Sequence, residues 1–145
     1  MTVTRIFAAL LLASASAAAA QSPADFYKGK SVRMIIGAAA GGGYDLPGRV
    51  MQAHMGRHIP GNPTIVVENM PGAASLIMTN YLYNRAPRDG STMGMPNNSV
   101  PLEPRLRILS RDGGDVRFDV SKFIWVGAPV QEPQILWTWS AAARS

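Results

Sequence analysis

Residues 38–49 decide the fold, with the sequence Ala-Ala-Ala-Gly-Gly-Gly-Tyr-Asp-Leu-Pro-Gly-Arg. They follow residues 31–37, Ser-Val-Arg-Met-Ile-Ile-Gly, a short apolar run with β-branched residues that is typical of a buried strand. Downstream, apolar residues suited to one face of a helix occur at Leu46, Val50, Met51, Met55 and Ile59. The stretch therefore predicts a strand that turns through consecutive glycines into a helix.

The glycine turn is a candidate anion site. Gly41, Gly42 and Gly43 permit positive φ and carry no Cβ, so backbone N–H groups at the start of a helix can approach a ligand oxygen. A flexible surface loop is the alternative for three consecutive glycines. No Lys follows them, which argues against a P-loop, and Leu46 occupies the position of the third dinucleotide-fingerprint glycine.

For two side chains of this turn, the sequence is compatible with more than one role. Asp45 is expected to cap the helix. If its carboxylate turns inward to the backbone, the helix start still favours a carboxylate ligand; if it points into a cleft, it favours an amine or hydroxyl. Tyr44 either lines the cleft and contacts ligand or has no such role.

The same strand, turn and helix order is repeated along the chain. Residues 64–67 form a β-branched run, residues 68–75 a second glycine-bearing turn, and residues 76–85 a helix. Residues 91–95 predict a third strand. Strands that alternate with helices indicate an α/β fold with a parallel sheet, whose carboxyl edge is where ligands bind.

The rest of the chain is less regular. Pro96, Pro101 and Pro104 predict a loop that wraps over the strand ends. Further strands are expected at residues 123–127 and at residues 134–139.

The N-terminal sequence indicates export, and the composition argues against several classes of protein. Residues 1–20 combine Arg5, an apolar stretch and a small-residue site, which predicts a signal peptide cleaved after Ala20. The chain has no cysteine and a formal net charge of +5. The arginines lack interleaved aromatic residues, so they are interpreted as a solvated basic face without a nucleic-acid partner. They lie at Arg105, Arg107, Arg111 and Arg117.

No catalytic or metal constellation is evident. His54 and His58 lie four residues apart, but Met55 follows the first and no third ligand is evident, so exposed histidines are favoured over a metal site. Ser75 and Ser99 lack the Gly-x-Ser-x-Gly elbow of serine hydrolases. Core packing or a surface position is favoured over pocket lining for the aromatic side chains of Tyr81 and Tyr83.

Several spaced motifs carry a resemblance to a known family. They are, in order, Phe-Tyr-Lys-Gly-Lys at 26–30, Gly-Gly-Gly-Tyr-Asp at 41–45, His-Ile-Pro-Gly-Asn-Pro at 58–63, Glu-Asn-Met-Pro-Gly-Ala at 68–73, Asn-Tyr-Leu-Tyr at 80–83, Ala-Pro-Arg-Asp-Gly at 86–90 and Leu-Glu-Pro at 102–104. Over residues 24–139 the chain resembles the periplasmic substrate-binding receptors of tripartite tricarboxylate transporters, the Bug proteins.

The resemblance implies a two-lobed, Venus-flytrap, periplasmic-binding-protein-like receptor without catalysis or cofactor. Its α/β lobes close on a small carboxylate in the periplasm and deliver it to the membrane permease subunits. Two loops of the first lobe hold the carboxylate through backbone groups and water. Carried onto this sequence, the ligand-binding residues are Ala40, Gly41, Gly42, Gly43, Tyr44, Asp45, Pro71, Gly72, Ala73, Ala74 and Ser75.

The chain departs from the family pattern in these loops. Ala40 replaces a frequent Pro, and Ala74 and Ser75 replace a frequent Gly-Gly. The Ser75 hydroxyl is expected to cap the following helix rather than to replace a backbone donor in ligand binding.

The expected organisation is a signal peptide at residues 1–20, then the first lobe and the start of the crossover at residues 21–139. Residues 140–145 form an atypical tail, and the second lobe is expected to be truncated, which would weaken binding and expose a sheet edge. A small α/β enzyme or nucleotide-binding domain that uses the glycine turn, and a nonfunctional receptor remnant, are the alternatives.

Overall fold

Three parallel strands form the centre of the molecule. The structure, a computed structural model, describes residues 22–102 and 115–129. The strands are β1 (Ser31–Ile36), β2 (Thr64–Asn69) and β3 (Thr92–Met95), and they lie in the order β2-β1-β3. All pairings are parallel, which confirms the α/β fold with a parallel sheet flanked by helices.

Helices connect the strands and cover both faces of the sheet. Helix α1 (Pro23–Tyr27) precedes β1, α2 (Asp45–His54) follows it, and α3 (Leu76–Asn84) follows β2. Short 3₁₀ turns occupy Met55–His58, Ala73–Ser75, Val100–Leu102 and Val120–Lys122. Among the described residues, no helix combines the length and apolarity that a membrane crossing requires.

Side-chain alternation along β1 divides the core between the two faces. Val32 and Met34 are buried with Ile65 and pack against Met51 and Met55 on the α2 side. On the opposite face, α3 lies so close to β3 that a Cβ on Gly94 would come within 2.5 Å of Leu82 Cδ2. The sheet is thus covered at its centre by one helix on each side.

Residues 123–127 do not form the predicted strand. They follow a 3₁₀ turn directly and adopt no regular structure, and Ile124 and Val126 are 93% and 95% exposed. The Phe123 ring instead packs against the rings of Tyr83 and Trp125, at centroid distances of 5.6 and 5.9 Å. The prediction was wrong because β propensity needs a partner strand, and the described structure gives this segment aromatic neighbours instead.

Other expectations lie outside the described residues. These are the signal peptide at residues 1–20, the strand at residues 134–139, the tail at residues 140–145, and three of the four clustered arginines. Of that cluster, only Arg117 is described, and its side chain forms an exposed ion pair with Asp115.

Candidate functional site

Three loops meet at the carboxyl edge of the sheet. Loop A (residues 37–44) follows β1, loop B (residues 70–75) follows β2, and loop C (residues 96–99) follows β3. Parallel strands bring all three loops to one edge. The predicted ligand-binding residues therefore share this edge: Ala40 to Tyr44 lie on loop A, Asp45 is the first residue of α2, and Pro71 to Ser75 lie on loop B.

Asp45 does not cap α2 as predicted. The helix begins at Asp45 itself, Tyr44 occupies the cap position, and no side chain makes a capping hydrogen bond there. Because Asp45 is already helical, its carboxylate folds back over loop A, and Oδ2 accepts a hydrogen bond from the Gly41 N–H at 2.8 Å. The carboxylate is thus turned inward to the backbone, which is one of the two orientations that the sequence left open.

Two side chains complete the environment of the Asp45 carboxylate. Oδ1 accepts from Asn69 Nδ2 at 2.9 Å and from Arg49 Nε at 3.2 Å. Arg49 Nη2 donates to Asn69 Oδ1 at 2.9 Å, and Asn69 Nδ2 also donates to the Ala38 carbonyl at 3.0 Å. These three side chains, Asp45, Arg49 and Asn69, are called the Asp45 cluster.

The Asp45 cluster favours the ionised carboxylate. The residue is only 7% exposed. The Gly41 amide, followed by the Asn69 side chain, holds the pKa of the Asp45 carboxyl below its ordinary value. Arg49 adds a favourable charge interaction. The charge-assisted hydrogen bonds to the Asp45 carboxylate therefore hold loop A against β2 and α2.

Ser75 is at the N-cap position of α3, but its side chain does not cap the helix. It adopts a left-handed backbone conformation, and its buried hydroxyl donates to the Gly37 carbonyl at 2.9 Å. The same oxygen accepts from the Asn97 N–H at 2.9 Å. The predicted cap is wrong, because the hydroxyl joins loops A, B and C instead.

The approach of Ser75 to loop A requires glycine at position 37. A Cβ built on Gly37 would lie 2.4 Å from Ser75 Cβ and 3.1 Å from Ser75 Cα. Any larger residue at position 37 would push loop B away from loop A.

Loop B has an unusual backbone. Ala73, Ala74 and Ser75 have φ values of 43°, 48° and 75°, directly after Gly72 at 134°. L-residues in the left-handed region cost about 1 kcal/mol or more each. Ala74 and Ser75 are the positions where the resembled family frequently has Gly-Gly, which adopts this conformation with little strain.

Tyr44 joins loop A to loop C. Its half-buried side chain accepts a hydrogen bond at the hydroxyl oxygen from the Asn98 N–H at 3.3 Å. The ring therefore lies along the edge between these loops, and its predicted ligand contact stays a prediction.

In both predicted loops, several backbone N–H groups have no hydrogen-bond partner among the described residues. The amides of Ala40 and Gly43 in loop A, and of Gly72 and Ala73 in loop B, make no hydrogen bond to a described residue. Ala40, Gly43 and Ala73 are exposed. Such groups can donate to the oxygens of an anion without any change in protonation.

Two cavities of the described surface are lined mainly by residues that follow loops A and B in the chain. One of about 810 Å³ on the outer side of α3 is lined by Ala73 of loop B together with Asn80, Tyr81 and Arg85. Another of about 350 Å³ is lined by Leu46, Pro47, Val50, Met51 and Pro129. Neither includes the triple glycine.

Of the remaining sequence candidates, Ser99 lies on loop C, and Tyr81 lines a cavity together with Ala73 of loop B. Within residues 22–102 and 115–129, no three His, Asp or Glu side chains are placed to hold a metal ion. His58 Nε2 accepts from Arg57 Nε at 3.2 Å. The Ser99 hydroxyl donates to Asn97 Oδ1 within loop C, and Tyr81 accepts from Arg33.

Sequence reasoning missed Arg49, Asn69 and Asn97. Arg49 follows Asp45 by four residues, a spacing that allows an ion pair on a helix and could have been noticed. Asn69 and Asn97 lie 24 residues from Asp45 and 22 from Ser75, respectively, so only the folded sheet edge shows that these pairs meet.

One comparison with known proteins gives a match. Over 104 residues the chain is 34% identical to a "UPF0065 protein in gbd 5'region" from Cupriavidus necator. The match covers 70% of this chain and 31% of that relative, so the matched part spans about a third of the relative's length. No family model and no solved structure matches the chain.

The strain in loop B generates a stability prediction. Ala74→Gly should raise the free energy of unfolding by about 1 kcal/mol, because glycine adopts the left-handed conformation without a Cβ clash. Ala53→Gly, within right-handed α2, is the matched control and should lower it by about 0.5–1 kcal/mol. Urea denaturation measures both, and a destabilised Ala74→Gly variant would contradict the assigned conformation.

Acid should destabilise the chain through two carboxylates. The pKa of Asp45 lies below its ordinary 3.8, and the hydrogen bonds from Arg33 hold the pKa of Glu68 below its ordinary 4.5. Both contributions are complete above the ordinary values and are lost as pH falls through the lowered ones. The free energy of unfolding should therefore decline below about pH 4.5.

Asp45→Asn isolates the contribution of Asp45 to this decline. The variant should lose stability less steeply with acid than the parent, whatever its stability at neutral pH. Urea denaturation at a series of pH values gives the two slopes. Equal slopes would show that the Asp45 carboxylate does not gain its hydrogen bonds on folding.

Proposed function

We propose that the chain forms the first lobe of a solute-binding receptor of the Bug type, which captures a small carboxylate for a tripartite tricarboxylate transporter. The observation that carries the proposal is the pair of loops at the carboxyl ends of neighbouring strands, each with backbone amides that make no hydrogen bond to a described residue. In this proposal, loops A and B hold the ligand carboxylate between them.

The chemistry of the edge supports a carboxylate ligand. Backbone N–H groups at a helix start favour anions through their partial positive charge. The described edge offers no arrangement of nucleophile and base, and its buried serine hydroxyl is occupied by Gly37 and Asn97. Binding rather than catalysis is the activity that such a site supports.

The similarity to the UPF0065 protein supports the same proposal. UPF0065 is the family name of the Bug, or tripartite tricarboxylate receptor, proteins. The match covers 31% of that relative. The proposal therefore includes a second lobe, outside the matched part, that completes the cleft. The proposal also includes a periplasmic location after cleavage behind Ala20, the membrane permease subunits as partners, and no cofactor.

A ligand panel tests the proposal. The purified chain is screened by thermal shift and calorimetry against succinate, citrate, benzoate, glutamate and ATP. A ligand at a hundredfold excess over its Kd should stabilise the chain by about 2.7 kcal/mol. Stabilisation by carboxylates alone is expected. Stabilisation by ATP alone, or by none of the panel, would contradict a carboxylate receptor.

A pair of variants connects binding to loop A. Gly43→Leu should lower carboxylate affinity at least tenfold, because the side chain covers the exposed amides of the loop. A Cβ at Gly43 meets nothing within 4 Å, so the fold should tolerate it. Ala53→Leu, exposed on α2, is the control and should bind like the parent. Equal affinities for all three chains would place the ligand elsewhere.

A further inference from the structure

We infer that Arg49 sets the charge preference of the glycine loop, because it neutralises the Asp45 carboxylate that would otherwise repel an anionic ligand. This inference rests on the proposed function and adds a specificity-determining residue that lies outside the predicted site. Arg49 acts through Asp45, so it is a positioning and charge-compensating residue rather than a binding residue.

The first step concerns the negative charge of Asp45. Its carboxylate lies against loop A, with Oδ2 2.8 Å from the Gly41 nitrogen, next to the exposed amides of Ala40 and Gly43. A carboxylate at this distance opposes the positive potential that the loop and the helix start present. By itself, the inward-turned Asp45 charge would therefore weaken the preference of this edge for a carboxylate.

The second step concerns the cation that faces this charge. Arg49 Nε is 3.2 Å from Asp45 Oδ1, one helical turn further along α2. Asn69 holds the guanidinium in place, because its Oδ1 accepts from Arg49 Nη2 at 2.9 Å. Two of the five guanidinium N–H groups are thus used on Asp45 and Asn69. The pair of Asp45 and Arg49 therefore carries no net charge.

The third step concerns the other charges near the edge. Glu68 precedes Asn69, but strand alternation directs it to the α3 side of the sheet, where Arg33 pairs with it at 2.7 Å. Asp45 therefore contacts loop A through the Gly41 amide, and Arg49 pairs with Asp45, whereas Glu68 pairs with Arg33 on the other face of the sheet.

A series of charge-neutralising variants tests the inference by calorimetry with succinate, citrate and benzoate. Arg49→Gln should bind these carboxylates at least tenfold more weakly than the parent, because the Asp45 charge stays without its cation. Arg57→Gln, an exposed arginine beyond the end of α2, removes the same charge away from the edge and should bind like the parent.

The double variant Asp45→Asn/Arg49→Gln separates charge from contact. It removes both charges of the pair and should regain most of the affinity that Arg49→Gln loses, with less dependence on salt. The loss in Arg49→Gln should shrink as ionic strength rises, which a purely structural defect would not produce. If the double variant binds as weakly as Arg49→Gln at every salt concentration, the inference is overturned.

The outcomes distinguish the inference from the proposed function. A parent chain that binds no carboxylate overturns the proposed function, and the inference with it. A parent that binds carboxylates while Arg49→Gln binds them equally well overturns the inference alone. Thermal melts of every variant identify any chain that does not fold. If one does not, the salt dependence of carboxylate affinity in the variants that do fold tests the inference.

Discussion

The buried carboxylate of Asp45 joins three parts of the structure that are distant in sequence. Its oxygens accept from the Gly41 amide in loop A, from Arg49 in α2 and from Asn69 at the end of β2. Each of these hydrogen bonds involves a charged group, and such bonds are stronger than neutral ones. Loop A is therefore held in one shape even though it contains three consecutive glycines, and its exposed amides have defined positions.

Ser75 has the corresponding role for loop B. Its hydroxyl joins the Gly37 carbonyl to the Asn97 amide, and the close approach to Gly37 leaves no room for a side chain there. The left-handed backbone from Ala73 to Ser75 is maintained against its cost by these contacts. Together, Asp45 and Ser75 join the three loops into one edge, which is where the proposed function places the ligand.

Much of the fold could be predicted from the sequence. The apolar runs at β1 and β2 are bounded by glycine and proline turns, so local pattern and tertiary structure agree there. The strand expected at residues 123–127 failed because β-branched and aromatic composition does not reveal whether a partner strand is available. The location of the candidate site followed from the order of strand, glycine turn and helix. The hydrogen bonds of the site could not be predicted in this way, because the partners Asn69 and Asn97 come from later strands and loops.

A carboxylate titration followed by amide nuclear magnetic resonance tests the central claim most directly, namely that this edge binds an anion through its backbone. Succinate, citrate and benzoate would be added to the isotopically labelled chain. Binding at the edge predicts saturable shifts of the amide signals of Ala40, Gly43, Gly72 and Ala73 with one common dissociation constant. Saturable shifts confined to other residues, or no saturable shift with any of the three, would contradict it.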